Sequence, residues 1–230
     1  MNTRIKDIIS RIETSSVNFR QIFKVVSNKY FYISLFCVIT GVLMNFASQT
    51  YLHNYISAGK TLPMLSDLIL DNLPVYNVSI VYDIFCLIPL ALLLIYLIDK
   101  KEFERLPFLL LMGGFFYIIR GIFIVLTPFG NPPMFNGSDA FFHGFANFEI
   151  GVYPSGHAGN VFMILLLVRD HIYRILIGIC LIIVIVALFL AHGHYSIDIL
   201  SGLFFSYAIR SFGDKYFTMF DLSRQGAINK

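Results

Sequence analysis

The sequence has no tryptophan, few cysteines and few charged residues. Of its 230 residues, 13% are Asp, Glu, Lys or Arg, whereas 57% are hydrophobic. A soluble globular domain has about 25% charged and about 45–50% apolar residues, so these proportions exclude an ordinary soluble fold. The three cysteines, Cys37, Cys86 and Cys180, lie singly in apolar stretches without a Cys-x-x-Cys spacing. This distribution indicates small buried side chains rather than a disulfide framework or a metal site.

The chain also lacks the polar–apolar alternation of strands and any dense basic cluster. Its apolar residues form long continuous runs, and a chain that crosses lipid in such runs must satisfy its backbone hydrogen bonds internally, as helices. The net charge is only +3, and the basic residues are scattered between the runs. We therefore expect an all-α polytopic membrane protein with no nucleic-acid partner.

Six apolar runs predict six transmembrane helices. They cover residues 30–47, 78–98, 106–126, a run of about twelve residues from His157, 172–191 and 195–212. Residues 61–74 are broken by prolines and too short to cross, which is typical of an interfacial segment. We thus expect a cytosolic N-terminal arm (1–29), a six-helix membrane catalytic domain (30–212) and a cytosolic C-terminal tail (213–230).

The distribution of positive charge predicts the orientation. Six crossings place the arm, two loops and the tail on one side, with six, three, two and four of the seventeen basic residues. The loop of residues 127–154, on the other side, contains no Lys or Arg. Because basic residues are retained on the cytosolic side, both termini are expected to be cytosolic.

Polar residues collect at the opposite, non-cytosolic ends of three of these helices. His157 begins the fourth, His194 and Asp198 begin the sixth, and Arg120 lies within two turns of the end of the third. An ionisable side chain at membrane depth is costly unless it is paired or functional, so these four residues are the candidate site.

The spacing of His194 and Asp198 leaves two local structures open. Both residues can lie on one face of a helix, four positions apart, or Ser196 can be the N-cap residue of the helix and leave His194 before it. The two side chains are close in either case. A zinc site would need three or four converging ligands and a local pair such as HExxH, which is missing, so no metal or cofactor is expected. Ser155 lacks the G-x-S-x-G turn of a hydrolase nucleophile.

The same residues suit phosphoryl transfer. Asp198 would orient His194, which would attack phosphorus, and His157 would protonate the departing alcohol. Arg120 and the backbone amides near Ser155 would hold the phosphate oxygens.

Three motifs carry a resemblance to a known family. They are Pro154-Ser155-Gly156-His157, His194-Tyr195-Ser196-Ile197-Asp198, and Tyr117, Arg120 and Thr127 at the spacing Y-x2-R-x6-T. Together they resemble the lipid phosphate phosphatase/phosphotransferase superfamily, and most closely its sphingomyelin synthase branch. The chain departs from that branch in its third motif, where Glu149, Ile150, Gly151 and Ala158 occupy other positions, and residues 63–67 are only a loose counterpart of its PLPD motif.

The resemblance implies a transferase without a cofactor. It would move a phosphocholine or phosphoethanolamine headgroup from a glycerophospholipid such as phosphatidylcholine to ceramide or a similar lipid alcohol, at the non-cytosolic leaflet. It implies His157, His194 and Asp198 as catalytic residues and the following as substrate-binding residues: Tyr117, Arg120, Ser155, Gly156 and Tyr195. A lipid phosphatase or phospholipase C-type hydrolase of the same superfamily and a non-enzymatic lipid-binding membrane protein remain alternatives. The oligomeric state is left open.

Overall fold

A computed structural model describes residues 19–132 and 153–224, and these two ranges contain helices and no strands. Six helices of 12 or more residues make up most of these two ranges. They are α1 (Lys29–Ser57), α2 (Ser79–Asp99), α3 (Leu106–Leu126), α4 (Gly156–Leu167), α5 (His171–Leu190) and α6 (Ser196–Tyr216). The all-helical prediction is confirmed for the described residues, whereas most of the predicted N-terminal arm, residues 1–18, lies outside them.

Each predicted apolar run corresponds to one of the six helices. The bounds of α3 match, and those of α2, α4 and α5 differ by about one residue. The main difference is α1, which continues past residue 47 to Ser57. Hydropathy falls in residues 48–57, but no Gly or Pro interrupts the helix until Gly59, which adopts a positive φ of 81°. The loss of apolar character therefore does not end the helix, and a glycine does.

Within residues 19–132 and 153–224, four helical segments are long and apolar enough to cross a membrane: Lys29–Ser57, Ser79–Asp99, Phe103–Leu126 and His171–Leu190. The other two helices, α4 and α6, do not meet these criteria of length and apolar character. α4 has only 12 residues, and α6 is interrupted by serines and charged residues such as Asp198 and Arg210. The structure thus supports a membrane protein with four candidate spanning helices, and crossing by α4 and α6 stays a prediction.

The short helix α4 is central in the described fold. It contacts α2, α3, α5 and α6, and its Ala158 and Val161 side chains are fully buried. Gly159 permits this packing, because a Cβ there would lie 2.4 Å from the Phe116 ring. A helix enclosed by four others has little surface left for contact with lipid.

Small residues let α1 approach α3 closely, as at many membrane helix interfaces. A Cβ on Gly114 would lie 2.8 Å from the Cys37 backbone, and one on Gly121 would lie 3.1 Å from the Asn45 amide nitrogen. The Ser48 hydroxyl adds a hydrogen bond of 2.7 Å to the Gly121 carbonyl. This contact places α1 beside the end of α3 that carries Arg120.

At the ends of the helices opposite Arg120, a network of buried charged residues connects the helices. Arg105 is fully buried and donates to the Tyr96 hydroxyl at 2.9 Å and to the Leu167 carbonyl at 2.8 Å. Asp221, also buried, pairs with Arg169 at 2.9 Å. Residues 217–224 of the predicted polar tail therefore pack against the helices, since Asp221 lies where it balances these guanidinium charges.

Candidate active site

The two predicted catalytic histidines lie side by side. The His157 and His194 ring centroids are 6.0 Å apart, with 62° between the ring planes. His157 is the second residue of α4, and His194 lies two residues before α6. The Ser155 amide donates to the Asp198 carbonyl at 3.0 Å and ties the two helix starts together. Both imidazoles can therefore reach a single phosphate group by hydrogen bonds of about 3 Å.

His194 is oriented by Asp198. Its Nδ1 lies 3.1 Å from Asp198 Oδ2, and that oxygen also accepts the Tyr195 backbone N–H at 3.1 Å. The helix begins at Ser196, and its N-cap residue is Tyr195 rather than Ser196. His194 therefore precedes the helix, as in the second of the two open local structures, whose N-cap assignment was wrong by one residue. An ionised carboxylate only accepts hydrogen bonds, so this contact selects the neutral tautomer of His194 that has its proton on Nδ1 and its electron pair on Nε2.

His157 has a carboxylate partner that the motifs did not reveal. Its Nε2 lies 3.2 Å from Oδ1 of Asp83, which is buried in α2. The Tyr82 ring packs edge-on against the imidazole, with centroids 5.0 Å apart. Asp83 is the one charged residue of α2 before the terminal Asp99. That isolated carboxylate in an apolar run was the available signal, because intramembrane ionisable residues are usually functional.

Arg120 lies against the polypeptide that leads into α4. Its Nε donates to the Pro154 carbonyl at 2.9 Å, and its Nη1 donates to the Asn45 side-chain oxygen. A Cβ on Gly156 would lie 3.0 Å from Arg120 Nε, so a larger residue there would push the guanidinium away by a few tenths of an ångström. Asn45 is a second residue that sequence reasoning missed, and no local pattern distinguishes it from other polar residues of α1.

Ser155 and Gly156 form the start of α4 beside this guanidinium. Ser155 is its N-cap residue, and the buried hydroxyl accepts a hydrogen bond from the Ala158 amide at 3.3 Å. The hydroxyl is therefore engaged in capping. The N-terminal amides of a helix favour anions through their partial positive charge, so the start of α4 and Arg120 together make a region suited to a phosphate.

The two predicted substrate-binding tyrosines lie in different surroundings. Tyr117, one turn before Arg120, packs at the α1–α3 interface near Gly41. Tyr195 is buried, and its hydroxyl accepts from the Leu65 amide at 3.1 Å and donates to the Asn131 carbonyl at 3.2 Å. The Tyr195 hydroxyl thus binds backbone groups of neighbouring segments.

Residues 61–78, termed here the outer strap, connect α1 to α2 and contact the start of α6. Asp67 Oδ2 accepts from the Ser196 amide at 2.6 Å and from the Ser196 hydroxyl at 2.8 Å. Although burial raises the pKa of Asp67, hydrogen bonds from Ser196, Leu70 and Ile69 outweigh it and lower the pKa below its ordinary value. A cavity of about 170 Å³ lies beside this contact, lined in part by Asp67, His192 and Tyr195.

Within residues 19–132 and 153–224, no group of three or more His, Cys, Asp and Glu side chains is arranged to hold a metal ion. The residues of the divergent third motif, Glu149, Ile150 and Gly151, lie outside the described ranges. Comparisons of the chain with protein-family models, curated proteins and solved structures found no match.

Proposed function

We propose that this protein is a membrane phosphotransferase that moves a phosphocholine or phosphoethanolamine headgroup from a glycerophospholipid to ceramide or a similar lipid alcohol, releasing diacylglycerol. The supporting observation is a pair of imidazoles 6.0 Å apart, each next to its own buried carboxylate. Two imidazoles that are oriented differently suit a nucleophile and a general acid.

In the first half of the reaction, His194 Nε2 attacks phosphorus and the bond from phosphorus to the glycerol oxygen breaks. His157, which faces Asp83 through Nε2, delivers a proton from Nδ1 to the departing oxygen, so diacylglycerol leaves as a neutral alcohol. Asp198 stabilises the positive charge that develops on His194. Arg120 and the start of α4 stabilise the negative charge on the phosphate oxygens.

In the second half, the acceptor alcohol occupies the position that diacylglycerol has left. His157 Nδ1, now without a proton, accepts the hydroxyl proton of the acceptor. The acceptor oxygen attacks phosphorus, and the bond from phosphorus to His194 Nε2 breaks. The enzyme returns to its initial protonation state without a net gain or loss of protons.

The location of the site supports chemistry at the non-cytosolic leaflet. Both histidines lie at the helix ends that adjoin the Lys- and Arg-free segment 127–154, whereas Arg105, Arg169 and Lys100 lie at the opposite ends. With six crossings and cytosolic termini, as the positive-inside rule predicts, the catalytic groups face the periplasmic or lumenal headgroups.

The decisive assay uses purified protein in lipid nanodiscs with a headgroup-labelled phospholipid, with and without ceramide. We expect label in a phosphoceramide product and equimolar diacylglycerol, both dependent on ceramide. Release of free phosphocholine or phosphate regardless of ceramide would identify a hydrolase instead. If neither the donor nor the acceptor lipid is consumed, the result contradicts an enzymatic function. His171→Gln, which alters an exposed histidine at the other end of the helices, is the matched control.

Replacing Asp83 by asparagine is expected to lower kcat roughly 10- to 100-fold, as part of the 10²- to 10⁴-fold that proton transfer contributes. The amide has the size of the carboxylate but cannot stabilise a positively charged imidazole. KM should change little, because Asp83 lies behind His157. Steady-state kinetics check this, with Asp99→Asn, at the far end of the same helix, as the control. Equal kcat values for the two variants would contradict a role for Asp83.

A further inference from the structure

The start of α6 receives its cap from a distant segment. Helix N-termini usually obtain a side-chain acceptor from their own N-cap residue, but Tyr195 provides none for α6. The acceptor is Asp67, 129 positions away in sequence, which binds both the amide and the hydroxyl of Ser196. Its other oxygen accepts the amides of Ile69 and Leu70 at 3.0 and 3.3 Å. One carboxylate thus joins a turn of the outer strap to the helix.

This connection lies within the catalytic segment. Ser196 is two residues after His194 and two residues before Asp198. Asp198 holds the segment from the core side through the Tyr195 amide and the His194 ring. Asp67 holds the same segment from the strap side, and the bond from the Leu65 amide to the Tyr195 hydroxyl adds a second link.

We propose that Asp67 is a positioning residue that sets the orientation of His194 through Ser196. This inference rests on the proposed function of the site. Without the Asp67 contact, the backbone of Ser196 loses its link to the strap, and only Asp198 and the Leu65–Tyr195 bond hold the turn of residues 194–196. His194 Nε2 then departs from the line of attack on phosphorus. A displacement of about 1 Å can lower a rate about 100-fold.

Two substitutions remove the contact from opposite sides. Asp67→Asn leaves one acceptor oxygen, which cannot serve both the strap turn and Ser196. Ser196→Pro removes the amide and hydroxyl donors together, and proline is favoured at the first position of a helix. Tyr195 has the extended backbone, with ψ of 154°, that a following proline requires. Asp71→Asn removes an exposed carboxylate from the same strap and is the matched control.

We expect each variant to lower kcat roughly 10- to 100-fold with KM within about threefold of the wild-type value. The double variant should be no slower than Ser196→Pro alone, because both changes remove one interaction. Wild-type kcat in both variants, or effects that multiply in the double variant, would overturn the proposal. So would a lowered melting temperature with unchanged kcat, which is the result for a merely structural contact.

A readout that does not depend on turnover separates this proposal from the proposed function. Amide hydrogen exchange of the peptide that covers residues 190–200 should accelerate in Asp67→Asn and Ser196→Pro, and stay at the wild-type rate in Asp71→Asn. If the wild-type protein transfers no headgroup, the proposed function fails, and exchange still decides whether Asp67 holds this segment. Unchanged exchange in all variants contradicts the proposal even if the wild-type protein is active.

Discussion

Replacing His194 by glutamine is expected to abolish headgroup transfer, with a loss on the order of 10³-fold or more. Glutamine retains a polar side chain of similar reach, but its amide nitrogen has no electron pair available for attack on phosphorus. The Nδ1 contact of His194 with Asp198, at 3.1 Å, leaves Nε2 as the reacting atom. In the proposed mechanism this atom forms the covalent intermediate, so no other residue of the site is expected to replace it.

The measurement is the formation of labelled protein from a headgroup-labelled donor in the absence of acceptor. Wild-type protein should accumulate an acid-labile, base-stable phosphohistidine, and His194→Gln should accumulate none. Asp198→Asn should slow its formation without removing it, since the nucleophile is still present. The His171→Gln protein controls for the loss of a histidine. Labelling of His194→Gln at the wild-type rate would assign the nucleophile to another residue and refute the proposed mechanism.

His157→Gln is expected to lower turnover of natural phospholipids about 10²- to 10⁴-fold. The reason is that the glycerol oxygen is a poor leaving group without a proton, and glutamine has none to give. In a donor that has a p-nitrophenyl group in place of the diacylglycerol, the leaving group is p-nitrophenolate, a stable anion that needs no proton. With that donor, the first half of the reaction should proceed at nearly the wild-type rate, whereas the second half, which needs His157 as a base, stays slow.

This difference appears as a burst in pre-steady-state kinetics. His157→Gln should release one p-nitrophenolate per enzyme rapidly and then turn over slowly, whereas His194→Gln should show no burst. The thermal stability of both variants should be measured alongside, since Asp83 loses its imidazole partner in His157→Gln. A well-folded His157→Gln protein without a burst would show that His157 does not act as the acid.

Much of the helical architecture could be predicted from hydropathy and from the positions of helix-breaking residues. The run 106–126 coincides with α3, because Pro107 marks its start and the apolar residues stop at Leu126. The end of α1 could not be predicted in this way, since residues 48–57 are largely polar yet remain helical to Ser57, two residues before Gly59. Hydropathy measures affinity for lipid, whereas the end of a helix depends on whether the backbone can continue.

Part of the candidate site was also readable, and for a local reason. His194 and Asp198 are four residues apart, so almost any conformation of the segment keeps them close, and their 3.1 Å contact follows. The meeting of His157 with His194 was predicted from topology, since both begin helices that enter from one side. Asp83, Asn45 and Asp67 were not identified as partners, because each contacts a residue more than 70 positions away.

The amino-acid sequence alone sets the apolar helices, the side of the positive charges and the adjacent His194–Asp198 pair, because these depend on composition and short-range spacing. The tertiary packing of the helices and the strap sets the long-range contacts of the site. It decides which carboxylate faces His157, which side-chain amide accepts from Arg120, and which strap residue caps α6. Around Arg120, glycines allow approaches of about 3 Å, of Gly156 to the guanidinium and of Gly121 to the backbone of α1. Such approaches depend on three-dimensional shape, which no local pattern of residues encodes.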